Sequence, residues 1–482
     1  MEALQRLHNR GSISTGYDID NSLKLEADNS EHLYVTTMTA GNTKTWTYSC
    51  WVKRTELGFT NVLIHFGVDS QVTRMMLNDD DTLYLDVCAE TGTTLYRSIT
   101  NRLFRDTSAW YHFVWRMDTT QGTEADRMKL YINGVEETSW AQHQIPPQNL
   151  QTSANTTAPQ HKAMGIGTYV WAGSSYDALF SGYLAQVAHV DGQSYAPTEF
   201  GEFDDATGIW KPKDITGLTY GSSNNSFLLD FSTSSDLGND SSGNNNDWSL
   251  SNITAADQAT DTPTNNFCIA NAIAIGTSNL FQFTEGGTVC KRITADQWDF
   301  FTTTMPVNKG KWYGEFKAGA GPVMVGIGSL SYFEGTAQSS HTGAGMATNS
   351  GVAYYGADGK RWVDGTEAAY GATFGTSDII SIAMDLDNDN VYFAKNGTWQ
   401  NSGDPTSGAT GTGALSTDPA GDYFVMTMNM LYNPTTHFMN YGGYTTISIS
   451  SAASDENGYG TFEYAPPSGY YALCTKNLEE YG

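Results

Sequence analysis

From about residue 24 to 210, large apolar residues alternate with small or polar ones in short runs. Trp46-Thr-Tyr-Ser-Cys-Trp-Val-Lys53, Thr82-Leu-Tyr-Leu-Asp-Val87 and Trp110-Tyr-His-Phe-Val-Trp-Arg-Met117 all follow this period of two. Such alternation sets one face of an extended segment on a core and the other toward solvent, so each run predicts a strand. Met128-Lys-Leu-Tyr-Ile132 leads into Asn133-Gly134 and then Val135-Glu-Glu137. Asn-Gly between extended segments predicts a hairpin, because both turn residues tolerate positive φ. The second half resumes the rhythm with Lys311-Trp-Tyr-Gly-Glu-Phe-Lys317, Val323-Met-Val-Gly-Ile-Gly328 and Ile379-Ile-Ser-Ile-Ala-Met-Asp385. There Val391-Tyr-Phe-Ala-Lys395 is closed by Asn396-Gly397. The expected fold is all-β, with two antiparallel β-sandwiches in series.

Between the two halves the composition changes. Residues 211–284 read as a polar connector with strands: residues 232–246 are almost wholly Ser, Thr, Asp, Gly and Asn, bounded by Phe227-Leu-Leu-Asp-Phe231 and Trp248. The expected division is a segment at 1–23, a sandwich over 24–210, this connector, and a second sandwich with a C-terminal extension over 285–482. Leu4 and Leu7 share one face of one or two helical turns that Gly11 would end. A helix so short needs a partner surface, so residues 1–23 read as either an attachment segment or a frayed terminus.

Composition reinforces the pattern. Charged residues make up 16%, aromatic residues 12%, and glycines number 49, which suits short strands and many turns. The 25 basic and 52 acidic residues give a formal charge of −27, a field that repels phosphate backbones and argues against nucleic acid. It fits solubility at high copy number, or cation binding in acidic loops. Cys50, Cys88, Cys268, Cys290 and Cys474 are odd in number and never in a CxxC pair, so neither a disulfide framework nor a zinc site is expected. Folding in a reducing cytoplasm is expected, with no secretory leader and no membrane insertion.

Four motifs in one order carry a resemblance. Thr45-Trp-Thr-Tyr-Ser-Cys-Trp-Val-Lys53, Trp110-Tyr-His-Phe-Val114, Lys129-Leu-Tyr-Ile-Asn-Gly134 and Phe180-Ser-Gly-Tyr-Leu-Ala-Gln-Val187, followed by Tyr195-Ala-Pro-Thr-Glu-Phe200, resemble the laminin-G-like, concanavalin-A-like jelly roll. The resemblance implies two antiparallel sheets with ligand sites on one rim or on the concave face; many members bind sugars, often with calcium. Gly310-Lys-Trp-Tyr-Gly-Glu-Phe316, Val325-Gly-Ile-Gly328 and the segment 379–397 resemble a SPRY sandwich over about 285–445, which implies partner-recognising loops and no attached chemistry. Those loops would lie between 330 and 375. Asp236-Leu-Gly-Asn-Asp-Ser-Ser-Gly-Asn-Asn-Asn-Asp-Trp248, Asp261-Thr-Pro-Thr-Asn-Asn-Phe267, Ala465-Pro-Pro-Ser-Gly-Tyr-Tyr-Ala-Leu-Cys-Thr-Lys-Asn-Leu478 and the opening Leu7-His-Asn-Arg-Gly-Ser-Ile-Ser14 are similar to segments of marine tailed-bacteriophage virion proteins. That similarity implies a virion location, as a tail-fibre or surface subunit assembled in the host cytoplasm. It also implies other virion proteins as partners and a homo-oligomer, with a trimer the form met in phage fibres.

No catalytic constellation emerges. The Glu-x-Asp-x-x-Glu strand of a jelly-roll glycosidase is absent, as are a Gly-x-Ser-x-Gly elbow and a His-Glu-x-x-His helix. His65 and His112 fall inside strand patterns. Asp385-Leu-Asp-Asn-Asp-Asn390 opens like an EF-hand loop, but its sixth position is Asn390 and its twelfth Asn396, so it reads as a hairpin. Asp79-Asp80-Asp81 is the candidate calcium loop, or simply a solvated turn. For a sugar, aromatic faces cover the apolar side of the ring and polar groups take the hydroxyls. Tyr169, Trp171 and Tyr176 in one Gly/Ser-rich loop, and Tyr354, Tyr355 and Trp362 in the other half, are the candidates for a host-surface glycan or protein. The rival expectation is a decoration or connector subunit that binds only other virion proteins.

Overall fold

The computed structural model describes all residues except 1–15, 68–71, 93, 159–162, 172–174, 222–224, 276–280, 294–297, 331–350, 364–365, 418–421 and 432–433. The chain divides into two compact units, Ser14–Thr264 and one built on Asn265–Gly482. Both are β-sandwiches of antiparallel sheets, and the strand positions follow the alternation: Thr45–Arg54, Thr82–Cys88, Tyr111–Asp118, Lys311–Lys317, Val323–Ser329, Ile379–Asp385 and Asn390–Lys395 are all strands.

In the first unit, sheet A runs in the spatial order Val135–Glu136, Met128–Ile132, Tyr111–Asp118, Thr45–Arg54, Gly182–Asp191, Ser22–Leu25 and Gln258–Ala259. Phe227–Leu229 pairs with Gly182–Asp191 off that path. Sheet B runs Trp140–His143, Leu95–Leu103, Thr82–Cys88, Thr73–Leu77, Asn61–Phe66, Met164–Ile166, His32–Val35 and Ser249–Ser251. Their inner faces enclose one core, in which Trp46 meets Trp115 edge-on at 4.8 Å beside Phe66, Leu83, Leu85 and Phe113.

The expected boundaries need correction. The segment read as a connector from 211 is divided at 264/265, and its first part belongs to the first sandwich. Phe227–Leu229, Ser249–Ser251 and Gln258–Ala259 each add a strand to it. Phe227, Leu229, Leu237 and Trp248 are core residues. The polar tract is tied down by Asp240, whose buried carboxylate accepts the N–H groups of Leu228, Ser242 and Asn246 at 2.9 Å each. At the other end, residues 1–15 of the expected attachment segment lie outside the described residues, and Ser22 and Leu23 belong to strand Ser22–Leu25.

In the second unit, sheet C runs Ala270–Ile275, Asp299–Thr303, Phe424–Met430, Val323–Ser329, Gly351–Tyr355, Lys360–Val363 and Thr366–Ala369. Sheet D runs Phe281–Thr284, Val289–Arg292, Thr435–Asn440, Lys311–Lys317, Ile379–Asp385, Asn390–Lys395 and Thr398–Trp399. This unit therefore begins before residue 285. Trp312, Phe316, Ile327, Ile382, Phe393, Met426 and Met428 fill its core. Asp385 and Asn390 pair across a hairpin, with the buried Asp385 holding Asn388 and, at 2.9 Å, Lys311.

Candidate functional site

The outer face of sheet B carries a continuous row of aromatic and charged side chains. Alternation puts it there: Leu83, Leu85 and Val87 turn into the core, so Tyr84 and Asp86 turn out, and Arg74 lies outward between Thr73 and Met75. Cross-strand pairing then aligns these residues. Arg97 faces Asp86, Asp86 faces Arg74, Arg74 faces His65, His65 faces Gly165, and Gly165 faces Tyr34. Directly paired residues share a face, so these form one row across six strands.

At one end of the row, Asp86 is wholly buried and receives Nε and Nη2 of both arginines. Arg97 donates at 2.7 and 2.9 Å, and Arg74 at 2.9 and 2.8 Å. Bonding to Asp86 raises the Arg97 pKa further above its ordinary value. Each guanidinium lies over a tyrosine ring, Arg97 over Tyr84 at 5.3 Å and Arg74 over Tyr169 at 5.1 Å. Burial, then the carboxylate of Asp80, raises the Tyr84 phenol.

The hairpin of Tyr169–Trp171 and Ser175–Asp177 packs on the middle of the row. Gly165 permits this, since a Cβ there would stand 2.9 Å from the side chains of Thr168 and Val170. Tyr169 rests on His65 at 4.5 Å and is buried; Tyr176 reaches His32 at 4.2 Å and Tyr34 at 5.6 Å and is half-buried. His32 Nδ1 lies 2.9 Å from the Ser30 carbonyl, which makes Nδ1 the donor and leaves Nε2 the bare nitrogen. That Nε2 is buried and makes no hydrogen bond among the described residues. Burial holds the His32 pKa below its ordinary value.

The candidates thus sort as follows. Tyr169 and Tyr176 stand on opposite strands of a hairpin rather than in an irregular loop, while the side chain of Trp171 lies outside the described residues. In the second unit, Tyr354 is a core residue against Tyr370 and Phe374 and is removed from any ligand. Tyr355 and Trp362 turn the other way and gather with Trp298, Met324 and Ala353 on the outer face of sheet C. Much of the expected partner-loop segment, 331–350, lies outside the described residues. Asp79, Asp80 and Asp81 do not converge. Asp81, at φ 67°, takes Arg54 at 2.9 Å and Arg105 at 2.8 Å; Asp80 caps Thr82; Asp79 takes Asn78. Among the described residues no three His, Cys, Asp or Glu side chains are disposed to hold a metal ion. The five cysteines are free and buried, and burial pushes the thiol of Cys50 up to about 12, so none is a ready nucleophile. Sequence reasoning missed His32, Tyr34, Arg74, Tyr84, Asp86 and Arg97; the alternation held the signal only for Tyr84 and Asp86.

Residues 27–192 match the Concanavalin A-like lectin/glucanases superfamily, and residues 311–416 match the SPRY domain. No curated protein matches the chain. Among solved structures, the SPRY domain of human HERC1 is 12% identical over 35% of this chain and 96% of that one, with a TM-score of 0.28. A second human SPRY domain is 13% identical over 33% and 94%, with a TM-score of 0.24. The native heptameric SAP-like pentraxin from Limulus polyphemus is 18% identical over 38% and 80%, with a TM-score of 0.26. The chain carries a concanavalin A-like domain followed by a SPRY domain.

Proposed function

We propose that this chain is a non-enzymatic recognition protein whose concanavalin A-like domain binds a glycan on the outer face of sheet B. The observation that carries this reading is the single row of Tyr34, Arg74, Asp86 and Arg97, with Tyr84, Tyr169 and Tyr176 beside it. The half-buried rings of Tyr34 and Tyr176 offer faces for the apolar side of a sugar, and the guanidinium groups, fixed by the buried Asp86, donate to its hydroxyls. In this reading, which the similarity of four segments to tailed-phage virion proteins supports, the chain belongs to a virion surface appendage that meets a host-surface glycan, with other virion proteins as its assembly partners.

Purified full-length protein on a glycan array, with and without calcium, tests the reading. It should label a restricted set of glycans, and Tyr34→Ala combined with Tyr176→Ala should weaken them by about tenfold or more, as loss of a stacking anchor does. No labelling in either condition overturns it.

A further inference from the structure

We infer that the preferred ligand of the sheet B face is an acidic saccharide, bound through its carboxylate or sulfate at the Arg74–Asp86–Arg97 ladder. This rests on glycan recognition at the same face.

Two arginines share one carboxylate, so the ladder carries a formal charge of +1 on a chain of −27. A neutral saccharide has no use for that surplus. The fixed groups also point to an anion. The Asp86 side chain is fully buried, while those of Arg74 and Arg97 are 14% and 32% exposed, so the cations reach solvent and their counter-ion does not. Each guanidinium commits Nε and Nη2 to Asp86, and among the described residues neither Nη1 makes a hydrogen bond. Two amino groups, on the strands that flank the Asp86 strand in register, therefore remain for an outside acceptor. Tyr84 and Tyr169 support the planes of the guanidinium groups, so little side-chain freedom is lost when an anion arrives. Charge-assisted bonds to an ionised acid are the strongest such donors make. Asp79 and Asp80 lie in the turn that leads into the Tyr84 strand, and Asp80 bears on its hydroxyl. The positive ground is thus narrow and suits one acid group at a time, whereas a dense polyanion meets the negative field of the remainder.

The test is calorimetric titration of the full chain with a short oligogalactan carrying one galacturonate, with the same oligogalactan carrying one sulfate and with the neutral oligogalactan. At least one acidic probe should bind about tenfold tighter than the neutral one, and salt above about 0.1 M should narrow the gap. Arg97→Gln removes the surplus charge while keeping Asp86 paired with Arg74, and should bring acidic and neutral probes to about equal affinity. Asp86→Asn acts in the opposite sense and should widen the preference, a result that loss of folding cannot imitate. Preference for only one acidic probe supports the inference and identifies the acid. Equal binding of acidic and neutral probes, or a preference unchanged in both variants, overturns it and leaves glycan recognition standing. Binding of none of the three, with an array also blank, overturns both.

Discussion

The two sandwiches solve one local problem identically and a neighbouring one in opposite ways. Asn133-Gly134 and Asn396-Gly397 adopt nearly the same turn, with φ of 48° and 78° in one and 48° and 77° in the other. In each, the asparagine exchanges two bonds with the strand beside it. Oδ1 accepts the N–H of His112 at 2.7 Å or of Ile379 at 2.9 Å, and its own N–H reaches the same residue's carbonyl. In each, the glycine lies under an aromatic from a later segment; a Cβ would stand 2.3 Å from the Trp210 ring or 2.8 Å from that of Tyr464. The difference lies in how each unit's trailing segment is fastened. In the first unit, buried Lys53 meets buried Asp261 at 2.6 Å, and buried Lys24 meets Glu31 and Asp257 at 3.0 and 2.8 Å. In the second, buried Glu315 holds the N–H groups of Glu463 and Tyr464 at 3.0 and 2.8 Å, with Asn440 and Tyr313. No cation pairs with Glu315 among the described residues. A fold can therefore anchor a trailing segment on a buried ion pair or on a carboxylate ringed by dipoles, and the two anchors fail differently.

The largest contrast follows from removing one charge from each. Lys53→Met strands Asp261 in the interior with Trp110 Nε1 as a remaining donor at 3.0 Å, and such an orphaned charge costs about 3–5 kcal/mol. Glu315→Gln keeps the shape and turns one acceptor into a donor among donors, at about 1–3 kcal/mol. Hydrogen exchange read peptide by peptide should show Lys53→Met loosening residues 255–264, with Glu315→Gln loosening residues 460–474 to a smaller extent. Equal losses would mean that the two anchors are energetically alike.

Acidity should separate the units next. Burial depresses His112 and His189 in the first unit to about 3. Their contribution is complete above the ordinary 6.5 and is lost as pH falls toward 3, at about 1.4 kcal/mol per histidine per pH unit. Glu31 and Asp191 are raised by burial and offset part of this loss. In the second unit His437, depressed to about 4, acts in the same sense, whereas burial raises Glu315. The Glu315 contribution is complete below the ordinary 4.5 and fades as pH rises through the raised value. Exchange corrected for intrinsic rates should therefore show residues 108–118 losing protection on going from pH 7 to about 4.5. Over that range residues 460–474 should hold or gain, and Glu315→Gln should flatten their response. A parallel loss in both units would break the contrast.

The strands and both turns were legible because alternation and Asn-Gly are local chemistry. Parity could have gone further: in strand Gly351–Tyr355, Val352 and Tyr354 share the core face, which leaves Tyr355 for the outside. The first sandwich's end was not legible, since the tract 232–246 looks solvated until Asp240 is seen to tie its backbone to Leu228. Nor was the arginine ladder. Its row runs through strands in the spatial order 97, 86, 74, 65, 165 and 34, and the step to Gly165 joins distant segments that no spacing announces. Asp81 shows the same limit, because Arg54 and Arg105 reach it from other strands and loops.

The smallest test returns to the paired turns. Asn133→Ala and Asn396→Ala each place alanine at φ 48° and remove the acceptor of one strand N–H, so each should cost about 1–2 kcal/mol. The first carries an extra consequence. His112, whose N–H would be freed, is sandwiched between Trp51 at 4.5 Å and Trp210 at 6.0 Å, with Trp210 Nε1 donating to its Nδ1 at 2.9 Å. Ser49 completes that ring's bonding at Nε2. Asn133→Ala should therefore shift the tryptophan emission as well as the melting point, whereas Asn396→Ala, with only the half-buried Trp399 in its own hairpin, should shift the emission less for the same loss of melting point. If both variants leave the emission unchanged, the turn and the stack above it are independent, and the resemblance between the two hairpins stops at the backbone.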